Sequence, residues 1–187
     1  VVTSAGPREG ASTTAAGLAR VLALSGHRVV LVGGDLRSPS AVGAPGAPGL
    51  AEVLVGAARL SQVLVEGEVP GLELLPAGDM PGNPSELLGG RNMSDLLHHL
   101  AADRIVIIDA PPVCRFTDAV VLAEYAGGVL LVARAGRTSA EELREAALAV
   151  GQGGGHMLGV VLTNVSDLGR GSRSAQTAVT HAESATV

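Results

Sequence analysis

The chain has 187 residues, of which 47% are hydrophobic, 17% charged and 1% aromatic, with a formal net charge of −5. That length and apolar content allow one sizeable core and require no second domain, while the acidic balance and the lack of a basic or aromatic strip exclude a nucleic-acid partner. The single cysteine, Cys114, excludes an internal disulfide and a cysteine-based zinc cluster and suits a reducing compartment. No apolar run reaches membrane-spanning length and no signal peptide is evident, so a soluble, intracellular chain is expected. The missing initiator Met, with a first strand already under way at Val1, suggests an excised piece of a longer protein.

With so few aromatics the core must be built from Val, Leu, Ile and Ala, as in parallel sheets covered on both faces. Val1-Val2-Thr3 reads as the end of a buried strand. Ser4-Ala5-Gly6-Pro7-Arg8-Glu9-Gly10-Ala11-Ser12-Thr13-Thr14 then has the frame of a phosphate-binding loop, and an Ala-rich helix follows from Ser12 to about Leu24, with Gly26 beyond it. Such a loop wraps its backbone N–H groups around phosphate oxygens and leads into a helix N-terminus whose dipole favours negative charge. Gly6 to Thr13 are therefore the candidate cradle: Gly10 allows the close backbone approach, and Ser12 stands where a hydroxyl would hold Mg²⁺.

Three residues depart from that frame. Ala5 replaces the opening glycine, Arg8 enters a position that is often glycine, and Ala11 stands where a lysine should reach the phosphates. The last matters most, because in phosphoryl transfer the catalysis is mostly electrostatic. Arg8 is the only nearby cation that could substitute. Read by itself, the segment is equally a Gly-rich turn joining a strand to a helix.

Alternating apolar runs and helical patterns continue, the mark of a doubly wound α/β sheet. Arg28 to Val32 is the second strand, followed by Gly33-Gly34-Asp35-Leu36-Arg37-Ser38-Pro39 at its C-terminal end. Ser38 to Gly49, rich in Pro, Gly and Ala, is expected to be a surface loop. Leu72 to Leu75 is a short third strand. His98-His99 falls on the next helix, where neighbours point about 100° apart and cannot share one metal well. Ile105 to Ile108 is a fully buried fourth strand running into Asp109-Ala110-Pro111-Pro112, which matches a Walker B strand whose carboxylate orders Mg²⁺, or else is a turn aspartate. Tyr125, the only tyrosine, reads as a core or boundary residue of a helix.

Val129 to Val132 and Leu158 to Leu162 complete the strands. Between them a helix is opened by a capping box, Ser139 with Glu142, and closed at Gly151. Asn164 follows the last strand. Beyond Val165 the apolar period fades, so residues 1–165 are expected to form the domain and 166–187 a disordered polar tail. Neither a Gly-x-Ser-x-Gly elbow nor a Gly-x-Gly-x-x-Gly fingerprint is present.

At Asp35-Leu36-Arg37-Ser38-Pro39 the chain resembles a known family: the cytoplasmic domain of the bacterial tyrosine kinases of polysaccharide synthesis and export, relatives of the MinD/ParA ATPases. The resemblance covers roughly Val1 to Val165. Pro48-Gly49-Leu50 with Leu54 and Gly56 is similar to one family segment. Leu74-Leu75-Pro76-Ala77-Gly78 leading to Asn83-Pro84-Ser85-Glu86-Leu87-Leu88 is similar to another. Asp109-Ala110-Pro111-Pro112-Val113 with Thr117-Asp118-Ala119, and Val132-Ala133-Arg134-Ala135-Gly136-Arg137-Thr138, complete the ordered matches.

The resemblance implies an α/β fold of the P-loop NTPase, MinD/ParA-like kind: a doubly wound, mostly parallel sheet with helices on both faces. It implies ATP or ADP with Mg²⁺ as cofactors, Asp35 and Asp109 as catalytic carboxylates, and Ser12, Asp35 and Asp109 as Mg²⁺ ligands. Asn164 falls near where related ATPases read adenine, and is equally a plain turn residue. The implied partners are a nucleotide, a membrane polysaccharide co-polymerase or activator domain, fused or separate, and further copies of the chain, at the cytoplasmic face of the membrane. Against the family pattern, lysine is lost at Ala11 and the first aspartate of the second acidic motif at Gly33. The family's C-terminal tyrosine cluster has no counterpart here. A catalytically impaired relative is therefore the first expectation, an active ATP-dependent tyrosine kinase the second and a MinD/ParA-like ATPase the third.

Overall fold

A computed structural model describes residues 1–38, 42, 44 and 46–165; the proposed tail at 166–187 and part of the expected loop at 38–49 lie outside the described residues. Among the described residues the sheet has seven strands: β1 Val2–Ser4, β2 Val29–Gly33, β3 Val65–Glu66, β4 Leu72–Leu75, β5 Ile105–Asp109, β6 Val129–Arg134 and β7 Met157–Thr163. Their order is β3-β4-β2-β5-β1-β6-β7, and every pair is parallel except β3 with β4. The helices are α1 Ala11–Leu24, α2 Leu50–Leu54, α3 Leu60–Val63, α4 Pro84–Leu88, α5 Arg91–Ala101, α6 Asp118–Tyr125 and α7 Ala140–Gln152.

Both faces of the sheet are covered, so its central strands are apolar throughout rather than alternating. In β2, Val30 and Val32 join a core with Leu75, Ile108, Leu131 and residues of α5, α6 and α7. Val29 and Leu31 face the opposite way, into a core with Val2, Ile107 and Val132 under α1. That helix buries Ala11, Ala15, Ala19 and Ala23. An alanine every fourth residue forms one small-residue stripe, so the helix can lie close on the sheet without large side chains holding it away.

Several details differ from the sequence reading. The two-residue β3 was not foreseen: it is exposed and has no apolar run to announce it. The helix opened by Ser139 does not stop at Gly151 but runs on to Gln152, with Gly153 at its end; its capping box is present as expected, Ser139 Oγ accepting from the Glu142 N–H at 3.1 Å. Within the expected surface loop, Val42 is buried, at 3% exposure, in the core beneath α1. The expectation of a surface position therefore fails at Val42.

Candidate functional site

The turn from β1 into α1 is held in place chiefly through Glu9. This residue is buried, and its carboxylate accepts from the Gly6 N–H at 3.0 Å and from the Thr138 hydroxyl at 2.6 Å. Its carbonyl accepts from the Thr163 hydroxyl at 2.6 Å, and the Arg134 guanidinium reaches the Arg8 carbonyl at 3.2 Å. The ends of β6 and β7 and the loop after β6 thus clamp the turn from outside. Arg8 has φ 61 and Gly10 φ 103, both left-handed. Glycine adopts this conformation freely, which accounts for its frequency at the first position, and Arg8 holds it only because the clamps over-determine the backbone. A Cβ on Gly10 would also sit 3.2 Å from the Thr163 methyl.

No side chain caps the first turn of α1. Its leading N–H groups are therefore directed at whatever occupies the mouth of the loop, where the helix dipole favours an anion. Beside them stand two carboxylates from neighbouring strand ends. Asp109 closes β5 and is 2% exposed. Burial pushes its carboxyl up to about 6; the Ser12 hydroxyl bonded to it pulls the other way, and the charge of Asp35 adds to the rise. Asp35, half-buried after β2, is also raised by burial, an effect the backbone N–H groups of Arg37 and Ser38 partly offset. Its carboxylate accepts the Arg37 N–H at 3.0 Å. Gly33 pairs in register with Asp109 across β2 and β5. A side chain at position 33 would thus stand on the same face of the sheet as Asp109, in the adjacent strand.

The loop and Asp35 open on one cleft of about 440 Å³, whose lining includes Arg8, Gly10, Ala11, Ser12, Thr13 and Asp35; Asp109 is buried behind it and is not among the lining residues. The cleft lies at the C-terminal ends of the parallel strands, where open α/β sheets present ligands. A wider hollow of about 860 Å³ opens among the strands' N-terminal ends, between Leu97, Tyr125 and Leu158. Its lining is mostly apolar and brings no loop N–H groups or paired carboxylates together, so the chemistry favours the smaller cleft. Among the described residues no group of three or more His, Cys, Asp or Glu is placed to hold a metal alone. A Mg²⁺ at Ser12, Asp35 and Asp109 would draw its remaining oxygens from phosphate and water, as Mg²⁺ at nucleotide sites does.

The cleft also contains what the sequence reading missed. Arg8 is not the only cation nearby: Arg115, in the turn between β5 and α6, lines the same cleft, with Phe116 beside it. Of the residues expected to bind nucleotide, Gly6 directs its N–H to Glu9 within the loop. Asn164 is exposed just past β7 at φ 55, a left-handed turn conformation that asparagine tolerates, and it is not among the residues lining this cleft. His98 and His99 are both exposed on α5, and His98 Nδ1 lies 2.7 Å from the Ser94 carbonyl.

No family profile matches the chain. It is 36% identical over 166 residues to the tyrosine-protein kinase YwqD of Bacillus subtilis, an alignment covering 87% of this chain and 70% of that protein. The chain belongs to the bacterial tyrosine-protein kinase family. It is also similar in structure to the kinase domain of the Escherichia coli tyrosine kinase ETK, with a TM-score of 0.84 and 31% identity, covering 92% of this chain and 69% of that one. Against the tyrosine-protein kinase ptk of Acinetobacter johnsonii it is 35% identical over 163 residues, but spans 22% of that longer protein's length.

In this member of the bacterial tyrosine kinases, the segments that carried the resemblance pack on one another. The Leu50 N–H donates to the Pro76 carbonyl at 2.8 Å, and that of Ala51 to the Ala77 carbonyl at 3.0 Å. A Cβ on Gly49 would lie 2.1 Å from the Pro76 oxygen, so only glycine permits this approach. Arg37 reaches Asp118 through Nε at 2.6 Å and Nη2 at 3.1 Å, and Nη2 also donates to Ser85 Oγ at 3.1 Å. Ser85 Oγ donates to Asp118 as well. Burial alone would push the Asp118 carboxyl up; Arg37 and Ser85 outweigh it and hold the group below the usual carboxylate range. The Arg37 guanidinium lies 4.6 Å over the Phe116 ring. One ion pair, buried at its Asp118 end, thus ties the loop after β2, α4 and the cleft-lining turn before α6 together.

Proposed function

We propose that this chain is a nucleotide-binding domain of the tyrosine-kinase type, impaired in phosphoryl transfer, that regulates bacterial polysaccharide synthesis or export by binding ATP or ADP with Mg²⁺. The reading rests on one contrast in the cleft. The backbone cradle, Ser12 and the buried Asp109 are kept, while Ala11 stands in the lysine position and Gly33 stands in register with Asp109 without a carboxylate. The N–H groups at the start of α1 would hold phosphate oxygens, and Ser12, Asp35 and Asp109 would orient Mg²⁺, which supplies charge neutralisation when bound. The missing lysine and carboxylate would otherwise clamp the transferring phosphoryl group and activate the attacking hydroxyl. A membrane polysaccharide co-polymerase or activator domain, fused or separate, is the partner this role calls for. It would hold the domain at the cytoplasmic face of the membrane and sense its nucleotide state, through contacts that include further copies of the chain. Arg8 and Arg115 at the cleft favour a second reading, a working kinase with arginine in place of lysine.

Calorimetric titration with ATP and Mg²⁺, paired with a phosphate-release assay, tests this. Binding without release above background is expected; steady turnover would favour the second reading, and no binding would remove the first. The pH dependence carries its own sign. Asp109 has a raised pKa of about 6, so protons compete with Mg²⁺ as pH falls through that value. Mg²⁺-dependent affinity should therefore rise between pH 5 and pH 7 (roughly one unit either side of that pKa) and level off above. In Asp109→Asn that rise should be largely lost. A wild-type affinity flat across the range would count against Asp109 as a ligand of the ion.

A further inference from the structure

We infer that Arg115 is the cation this cleft sets against nucleotide phosphate, taking up the charge role left open by Ala11. The inference rests on the nucleotide-binding reading above and adds a residue to it. A nucleoside triphosphate brings several negative charges to a cleft whose lining already includes Asp35, with Asp109 buried behind it. Backbone N–H groups and one Mg²⁺ meet part of that charge, and a protein cation is needed for the rest.

The arginines differ in whether they are available. Arg37 is paired with Asp118, Arg104 with Glu73 and Asp103, and Arg28 with Asp103, while Arg134 donates to the Arg8 carbonyl. Arg115 makes no ion pair and no side-chain hydrogen bond among the described residues, is exposed, and lines the cleft together with Ala11 and Ser12. It projects from the loop after β5, the strand directly beside β1, so it approaches the cleft from the neighbouring loop rather than from the phosphate loop itself.

Its backbone is fixed in place. The N–H groups of Arg115 and Phe116 both donate to the Pro112 carbonyl, at 3.0 and 3.2 Å. The Pro111 carbonyl accepts the Thr3 hydroxyl at 2.6 Å, and the Val113 N–H donates to the Ser4 carbonyl at 2.8 Å. The turn is thus bound to the strand that feeds the phosphate loop, and Phe116 is held on its other side by the Arg37 guanidinium. A pre-set backbone leaves only the side chain to be ordered when a phosphate arrives, and a guanidinium can engage two phosphate oxygens at once. Arg8 also lines the cleft, but from the loop that already provides the N–H groups, and its own backbone is in a left-handed conformation.

The test is calorimetric titration of ATP, ADP and AMP into the unaltered chain, Arg115→Ala, Arg115→Lys, Arg8→Ala and the double variant Arg115→Ala with Ala11→Lys, each checked for an unchanged melting temperature. Arg115→Ala should weaken ATP about 10- to 100-fold, the range for one charge-assisted hydrogen-bonding group. It should weaken AMP much less, Arg115→Lys should keep part of the affinity, and Ala11→Lys should restore ATP binding in the Arg115→Ala background. If the unaltered chain binds ATP and Arg115→Ala binds it equally, or if Arg8→Ala alone carries the loss, this inference is overturned and the nucleotide-binding reading stands. If the unaltered chain binds no nucleotide, both fall.

Discussion

Introducing Lys at position 11 together with Asp at position 33 is expected to raise phosphoryl transfer to a tyrosine-containing peptide at least about 10²-fold, the scale of one preorganised electrostatic group. The two changes act in one transition state, so their effects need not multiply, and each single variant should gain much less than the pair. Position 11 is the first residue of α1 and 9% exposed, packed beside the core under that helix. A lysine there can lay its methylene stem along the apolar surface and carry its ammonium into the cleft. Position 33 pairs in register with Asp109, so a second carboxylate would arrive on the adjacent strand beside Asp109.

The acceptor has to be supplied. The chain's one tyrosine, Tyr125, is half-buried at the end of α6, with its hydroxyl donating to the Gly89 carbonyl at 2.9 Å, far along the sheet from the cleft. Release of inorganic phosphate and phosphorylation of the peptide should therefore be followed side by side. A folded double variant that binds Mg²⁺-ATP and stays inert would mean that the cleft lacks the geometry for transfer, whatever charges it holds.

How far the site could be foreseen depends on sequence separation. The loop from Ser4 to Thr14, the apolar strands and the Ser139 capping box were readable because each is a local pattern: a Gly-spaced turn, a buried run, two residues three apart. Asp35 and Asp109 were readable as strand-end carboxylates, and the order β2-β5-β1 brings their loops to one cleft. Arg115 carried no local signal, being a single charge in a turn. Only the adjacency of β5 to β1 brings it to the cleft. Glu9 was read as a residue of the cradle, whereas its side chain spans to Thr138, 129 positions away, to hold the loop shut. The antiparallel β3 is two exposed residues paired with β4, so no hydrophobic period marks it.

Arg37 is the clearest case of a long-range partner, and its loss should be felt in stability before chemistry. Asp118 is fully buried, and its carboxylate is bonded to Arg37 and Ser85, 81 and 33 positions away. Replacing the pair by apolar groups could be neutral, but removing the arginine alone strands a buried charge, which costs about 3 kcal/mol or more. For a chain of this size that corresponds to a fall in melting temperature of about 6–12 °C at pH 7. Ser85→Ala, which removes a single hydroxyl and leaves the ion pair, should cost about 1 kcal/mol. The pH dependence gives the sign: the Asp118 carboxyl is held below its ordinary value, so the pair's contribution is present at neutral pH and lost as pH falls through the folded-state pKa. The gap between Arg37→Ala and the unaltered chain should therefore narrow in acid. Because Arg37 also supports Phe116, the variant should loosen the turn that carries Arg115, and weaken ATP binding at temperatures where it is still folded. An Arg37→Ala melting curve that overlays the original at pH 7 would show that Asp118 finds another partner or a proton, and that the ion pair does not hold the cleft together.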